Sequence, residues 1–159
     1  SAASPLATIT GTAPTKFPVA ASPSFPANFF TLGSGLRVRA VFMKTDADTN
    51  QSTFVTKFGA TDSVAGTDTM FSEQTSSVHT NKHVVVDSKF SFTTLGGIGT
   101  GKVTTSSITP NGGGEASQVF DRSAQINTGA VQYLLFAASC ALSGTAAHAL
   151  VYYEIWWEA

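Results

Sequence analysis

Charge is scarce in this chain. Only 12% of its 159 residues are Asp, Glu, Lys or Arg, and the net charge is −1. The charged share is about half that of an ordinary domain, and no basic stripe of the kind that binds nucleic acid is present. Near-zero net charge also leaves a free chain prone to association. Cysteine is reduced to Cys140, which excludes a disulfide within the chain and gives no argument for an oxidising compartment. Set in an apolar run, Cys140 reads as a small buried hydrophobe. The apolar runs fall far short of the ~20 residues that cross a bilayer as a helix, so no membrane is expected among the partners. Ser1-Ala2-Ala3-Ser4-Pro5 has neither the basic nor the apolar region of a signal peptide.

Proline is nearly missing after residue 28. Five of the six prolines (Pro5, Pro14, Pro18, Pro23 and Pro26) lie in residues 1–28. Proline at that density excludes a helix or a central strand. Leu6, Ile9, Phe17, Val19 and Phe25 are nevertheless too apolar for a disordered tail. The expected form is an extended N-terminal arm over 1–28 that docks its hydrophobes on a surface. Fully stretched, such a segment reaches ~90 Å, so that surface can belong to a neighbour.

Residues 29–159 read as strands and turns throughout, one all-β domain. Leu36, Val38, Ala40 and Phe42 alternate with polar or smaller residues, the mark of a strand with one buried face. Further strands are expected over 53–59, 84–95 (with a break at Asp87-Ser88), 102–108 and 118–120, with loops at 46–50, 96–101 and 110–114. β-branched runs at this spacing, punctuated by Gly, Asn and Ser, indicate a sandwich or barrel. Two long apolar runs close the chain: Val131 to Cys140 and His148 to Trp157, joined by a Ser-Gly-Thr turn. A terminus so apolar must be built into a sheet. A strand apolar on both faces needs a sheet on each side or a partner chain on one.

The chemistry-bearing residue types do not assemble into a known site. Asp46, Asp48, Asn50 and Ser52 open like a calcium loop, but Gln51 and Lys57 stand where glycine and the bidentate glutamate belong, so a polar hairpin tip is the better reading. His79 and His83 are four apart, which in extended chain separates them by ~13 Å, too far to share a metal. His148 opens the final strand and is expected at a surface or interface. There is no Gly-x-Ser-x-Gly elbow, and Gly112-Gly113-Gly114 lacks the Lys-Ser/Thr of a phosphate loop. Glu154, among Tyr152, Tyr153, Trp156 and Trp157, is the one carboxylate in an aromatic strand. It belongs either to a sugar-stacking surface or, the better reading, to a strand that meets a subunit partner. Neither catalytic residues nor a metal or cofactor are expected.

Arg37 and Arg39 share a face opposite Leu36, Val38 and Ala40. They form a solvated face or ion pairs across a subunit boundary, where forked arginine is favoured. Together with Tyr152, Trp156 and Trp157 they are assigned to a subunit interface.

Pro26-Ala-Asn-Phe-Phe30 followed by Leu32-Gly-Ser-Gly-Leu-Arg-Val-Arg-Ala40 resembles the opening of small β-sandwich domains in structural proteins of tailed bacteriophages: capsid decoration (cement) proteins, head fibres and tail fibres. Ile126 to Leu134 is similar to their penultimate strand, and the close at Glu154-Ile155 to their last. The terminal position of both tryptophans and the Pro-rich arm depart from that pattern. The resemblance implies a jelly-roll-like antiparallel β-sandwich, a homotrimer without enzymatic activity, and the major capsid protein as partner. It places the protein on the outer surface of the virion capsid, after assembly in the host cytoplasm. No coiled coil or shaft is present, which favours decoration over a fibre; a receptor- or carbohydrate-binding fibre knob is the alternative. On this reading Leu6, Ile9, Phe17 and Phe25 of the arm contact the shell, and weak contacts gain strength by acting together in a trimer.

Overall fold

Alternation in the sequence becomes a sandwich because each strand has one face that water disfavours. The computed structural model describes residues 10–13, 15–17, 22–44, 52–64, 69–75, 83–96, 99–108, 119–140 and 147–158; over 69–75, 99–108 and 119–125 it describes the backbone only. Ten strands and no helix occur among the described residues: β1 (Thr15–Lys16), β2 (Ser24–Phe25), β3 (Gly35–Lys44), β4 (Thr53–Gly59), β5 (Thr69–Thr75), β6 (His83–Phe92), β7 (Gly99–Ile108), β8 (Val119–Ile126), β9 (Gln132–Ser139) and β10 (His148–Glu158).

They form two antiparallel sheets. One runs β10-β3-β6-β7-β8; the other runs β1-β9-β4-β5, with β2 also paired to β9. The pairing is nested: β3 takes β10, and β4 takes β9. The nesting stops there, since β5 and β8 belong to different sheets. Packed face to face, the two sheets make a β-sandwich. The two apolar runs that close the chain lie on opposite sheets and do not pair with each other.

The sheets meet over a core built largely of phenylalanine: of the ten whose side chains are described, all but Phe29 lie inside it. Phe30 stacks on Phe92 at 4.2 Å between ring centroids, Phe42 on Phe54 at 5.0 Å, and Phe136 on Tyr153 at 4.7 Å. Each such ring, fully buried, stabilises the fold by ~2–3 kcal/mol relative to exposure. β9 is buried on both faces: Leu134 and Phe136 face the core, while Leu135 and Ala137 on its other face are equally covered within this one chain.

Three expectations are corrected. β6 runs unbroken through Asp87-Ser88, because both residues hold their register against Arg39 and Val38 of β3. β8 is eight residues long, where the sequence suggests only a short strand at 118–120. At its described residues the Pro-rich segment is extended and docks on its own sandwich rather than on a neighbour. β1 and β2 add to β9, Phe17 N–H donates to the Phe136 carbonyl at 2.8 Å, and Leu134 N–H donates to the Pro23 carbonyl at 2.8 Å. Phe17 and Phe25 are buried in the core of their own chain, so they are not available to a shell. The reason is short range: prolines spaced by several residues still leave two-residue strands between them, and a core next door captures the rings. Leu6, Ile9 and Val19 lie outside the described residues, as do the loops 46–50 and 110–114.

Candidate interaction surfaces

One end of the sandwich is apolar and exposed. Three loops meet there: 26–34 before β3, 93–96 after β6 and 127–131 before β9. Backbone bonds tie them together. Asn28 N–H donates to the Thr128 carbonyl at 2.8 Å, Thr128 N–H to the Gly96 carbonyl at 3.0 Å, and Gly96 N–H to Thr128 Oγ1 at 2.6 Å. Gly33 N–H reaches the Phe92 carbonyl, and Phe92 N–H returns to Ser34. Asn28 at φ 61° and Gly33 at φ 80° take left-handed conformations that Asn and Gly tolerate best.

These turns split the Phe29-Phe30 pair. Phe30 enters the core, whereas Phe29 turns outward and meets the Trp157 ring edge-on at 5.1 Å. Phe29, Leu32, Leu95, Val131 and Trp157 remain between 37% and 63% exposed. An apolar group in a tight loop has no core to serve, and several brought to one end of a domain by joined loops make a candidate interaction surface. Only Trp157 of this set was assigned to an interface by sequence reasoning. The missed signal was local: Leu32, Leu95 and Val131 each sit within two residues of a turn glycine, where polar residues are usual.

A second surface is the outer face of the sheet at β10, β3 and β6. The register aligns Trp156 with Arg37 and Lys89, and the next row aligns Glu154 with Arg39 and Asp87. Arg37 grips Asp87 with two bonds, Nε to Oδ1 at 2.8 Å and Nη2 to Oδ2 at 2.6 Å. That hydrogen bonding, with the negative charge behind it, raises the Arg37 pKa above its ordinary value. The same guanidinium lies 5.5 Å from the centre of the Trp156 ring, within cation–π range. Lys89 pairs with Glu158 across Gly35. A side chain at Gly35 would intrude on that bridge, since a Cβ there lies 3.2 Å from Lys89 Cε and 3.3 Å from the Phe90 carbonyl oxygen.

The residues assigned to a subunit interface therefore divide. Arg37, Arg39, Tyr152 and Trp156 share the outer face, because Tyr152 and Trp156 stand opposite Val41 and Arg37. Trp157, one position on, points to the other side and closes the aromatic end against Phe29, Phe30 and Phe92.

The remaining polar residues serve the fold. His148, expected at a surface or interface, is fully buried within the chain; its Nε2 makes a 2.8 Å hydrogen bond with Ser52 Oγ, and its ring lies edge-on to Phe54 at 5.6 Å. Burial follows from the inward position it shares with Lys44, its register neighbour on β3. Lys16 Nζ donates to Asp62 Oδ1 at 2.5 Å and to Ser22 Oγ at 3.2 Å, clamping β1 to the loop after β4. Lys16, assisted by Ser22, holds the Asp62 carboxyl below the usual carboxylate range. Cys140 is buried and forms no disulfide within the chain. His83 opens β6 opposite Met43, and Glu154 is exposed; His79 and most of the calcium-like loop lie outside the described residues. Among the described residues no three His, Cys, Asp or Glu side chains converge as metal ligands.

No family model, curated protein or solved structure matches this chain.

Proposed function

We propose that this protein is a non-enzymatic structural component of a virus particle, a decoration (cement) subunit that binds the outer surface of a capsid shell and stabilises it. The exposed apolar end of the sandwich carries the proposal. Phe29, Leu32, Leu95, Val131 and Trp157 present a hydrophobic patch on loops that backbone hydrogen bonds hold together. Because those loops are pre-organised, little ordering entropy opposes their docking. A patch of a few side chains binds weakly alone, and repeated copies on a lattice convert weak contacts into a stabilised shell.

The test is to measure the copy number of this chain against the major shell protein in purified particles, and the binding of a Phe29→Ser/Leu32→Ser variant to bare shells. A simple ratio to the shell subunit and lost binding by the variant are expected. Absence from particles, or unchanged binding, would overturn the proposal. The exposed Trp156 favours a second reading, a carbohydrate-binding knob, in which Trp156 stacks on a sugar ring. Sugar-dependent quenching that Trp156→Ala removes would establish that reading instead.

A further inference from the structure

We infer that the outer edge of β10 pairs antiparallel with the same edge of a second copy of this chain, about a twofold axis at Ile155. Among the described residues β10 is the outermost strand of its sheet, bonded only to β3. Its first part is irregular, with a register slip between Leu150 and Tyr152, and a bulge of that kind blunts an edge. From Tyr152 to Glu158 the register against β3 is continuous. That stretch contains no proline and no lysine, the residues that usually protect an edge from pairing.

The register of the pairing follows from the side chains. Directly opposed residues of an antiparallel pair share a face, so a twofold pairing must centre on a residue; centring between two would oppose inward and outward groups. A centre at Glu154 sets that carboxylate against itself. A centre at Trp156 sets Glu154 against Glu158. A centre at Tyr153 draws the slip at Leu150/Tyr152 into the pairing. A centre at Ile155 uses the whole regular stretch and opposes no two carboxylates. On the outer face it places Glu154 against Trp156 of the second copy and Tyr152 against Glu158. On the inner face it places Tyr153 against Trp157 and Ile155 against itself.

Charge supports the same register. The row Lys89–Arg37–Trp156 of one copy continues as Glu154–Arg39–Asp87 of the other. Glu154 thus closes on the Trp156 ring whose neighbour is the Arg37 guanidinium, 5.5 Å from the ring centre. The β10-edged sheets of the two copies become one continuous sheet, and the exposed Trp156 ring of each copy gains a neighbour across the seam. A contact along one edge is small by the standard of stable complexes, so the dimer forms at micromolar concentration and above. This arrangement departs from the trimer that the phage resemblance implies, and it does not depend on shell binding.

Sedimentation equilibrium of the full chain and two variants tests it. Trp156→Glu and Trp156→Lys remove the same exposed ring, but the Ile155-centred register faces the first with Glu154 and gives the second an ion pair. A concentration-dependent dimer is expected for the wild type and for W156K. In W156E it is expected to be at least about tenfold weaker, as for like charges brought together at an interface. Circular dichroism confirms that each variant is folded. A second measurement fixes the register: Ile155→Cys, with the native Cys140 buried, should crosslink into dimers under mild oxidation. A monomer at every concentration, a trimer, equal behaviour of W156E and W156K, or no I155C crosslink would each overturn the inference. Shell binding is scored separately on the Phe29→Ser/Leu32→Ser variant, so either proposal can fail alone.

Discussion

Replacing Phe17 by alanine separates a structural arm from a docking arm. Phe17 is fully buried and lies 5.8 Å from the Phe42 ring centroid, with its backbone N–H bound to Phe136. Removing the ring loses its transfer free energy and leaves a cavity between β1 and β3, a loss of about 3–5 kcal/mol for a buried Phe→Ala change. Domains of this size have only about 5–15 kcal/mol of stability. A change of 1 kcal/mol moves the melting temperature by about 2–4 °C here, so F17A should melt roughly 6–20 °C below the wild type. Phe29→Ala is the control, since Phe29 is 42% exposed and its truncation should cost no more than about 1.5 kcal/mol. Urea unfolding of the three proteins, followed by tryptophan fluorescence, supplies the measurement. If F17A is as stable as F29A, the ring is not a core residue. If F17A keeps its stability and loses shell binding, Phe17 is a docking group and the placement of β1 is refuted.

Acid should weaken the clamp at β1. Asp62 has a lowered pKa in the fold, so its contribution is complete above the unfolded-state value near 3.9 and disappears as pH falls through the lower folded value. Asp62→Asn should therefore cost stability at neutral pH, no more than about 1 kcal/mol for an exposed pair, and progressively less as the pH falls below the unfolded-state value; a deficit in thermal melts that does not shrink on acidification would contradict this. Gly35→Val should destabilise by about 1–3 kcal/mol through overpacking although valine favours strands, because a Cβ at that position meets Lys89 and the Phe90 carbonyl. A Gly35→Val protein with a higher urea midpoint than wild type would show that the approach of β6 is not tight.

The strands β3 and β4 were legible because their patterns are strong. Leu36, Val38, Ala40 and Phe42 alternate cleanly, and Phe54 and Phe58 repeat the period over 53–59. β5 was not foreseen, since Thr-Met-Phe-Ser-Glu-Gln-Thr has neither alternation nor a continuous apolar run. β1 and β2 were hidden by the prolines around them, and two-residue strands have no period to detect. Arg37 and Arg39 were correctly placed on one face, but their partners are set by strand order: Asp87 comes to Arg37 from fifty residues away. The apolar end was illegible for a similar reason. Leu32, Leu95 and Val131 are isolated in sequence and become one surface only when the 26–34, 93–96 and 127–131 loops are joined by hydrogen bonds.

By itself the sequence determined the all-β class, the low charge that suits contact with other protein, and which residues of the clear strands seek a buried face. Those properties reside in local period and composition, and any fold of this chain must respect them. Tertiary structure alone decided that the two apolar closing runs lie on opposite sheets, that β9 is covered on both faces while β10 is the outermost of the described strands of its sheet, and that Phe17 and Phe25 serve their own core. Burial of an apolar residue lowers the free energy by an amount set by the area removed from water, whichever surface removes it. A local pattern therefore states that Phe17 must be covered; only the positions of β3 and β9 state by what.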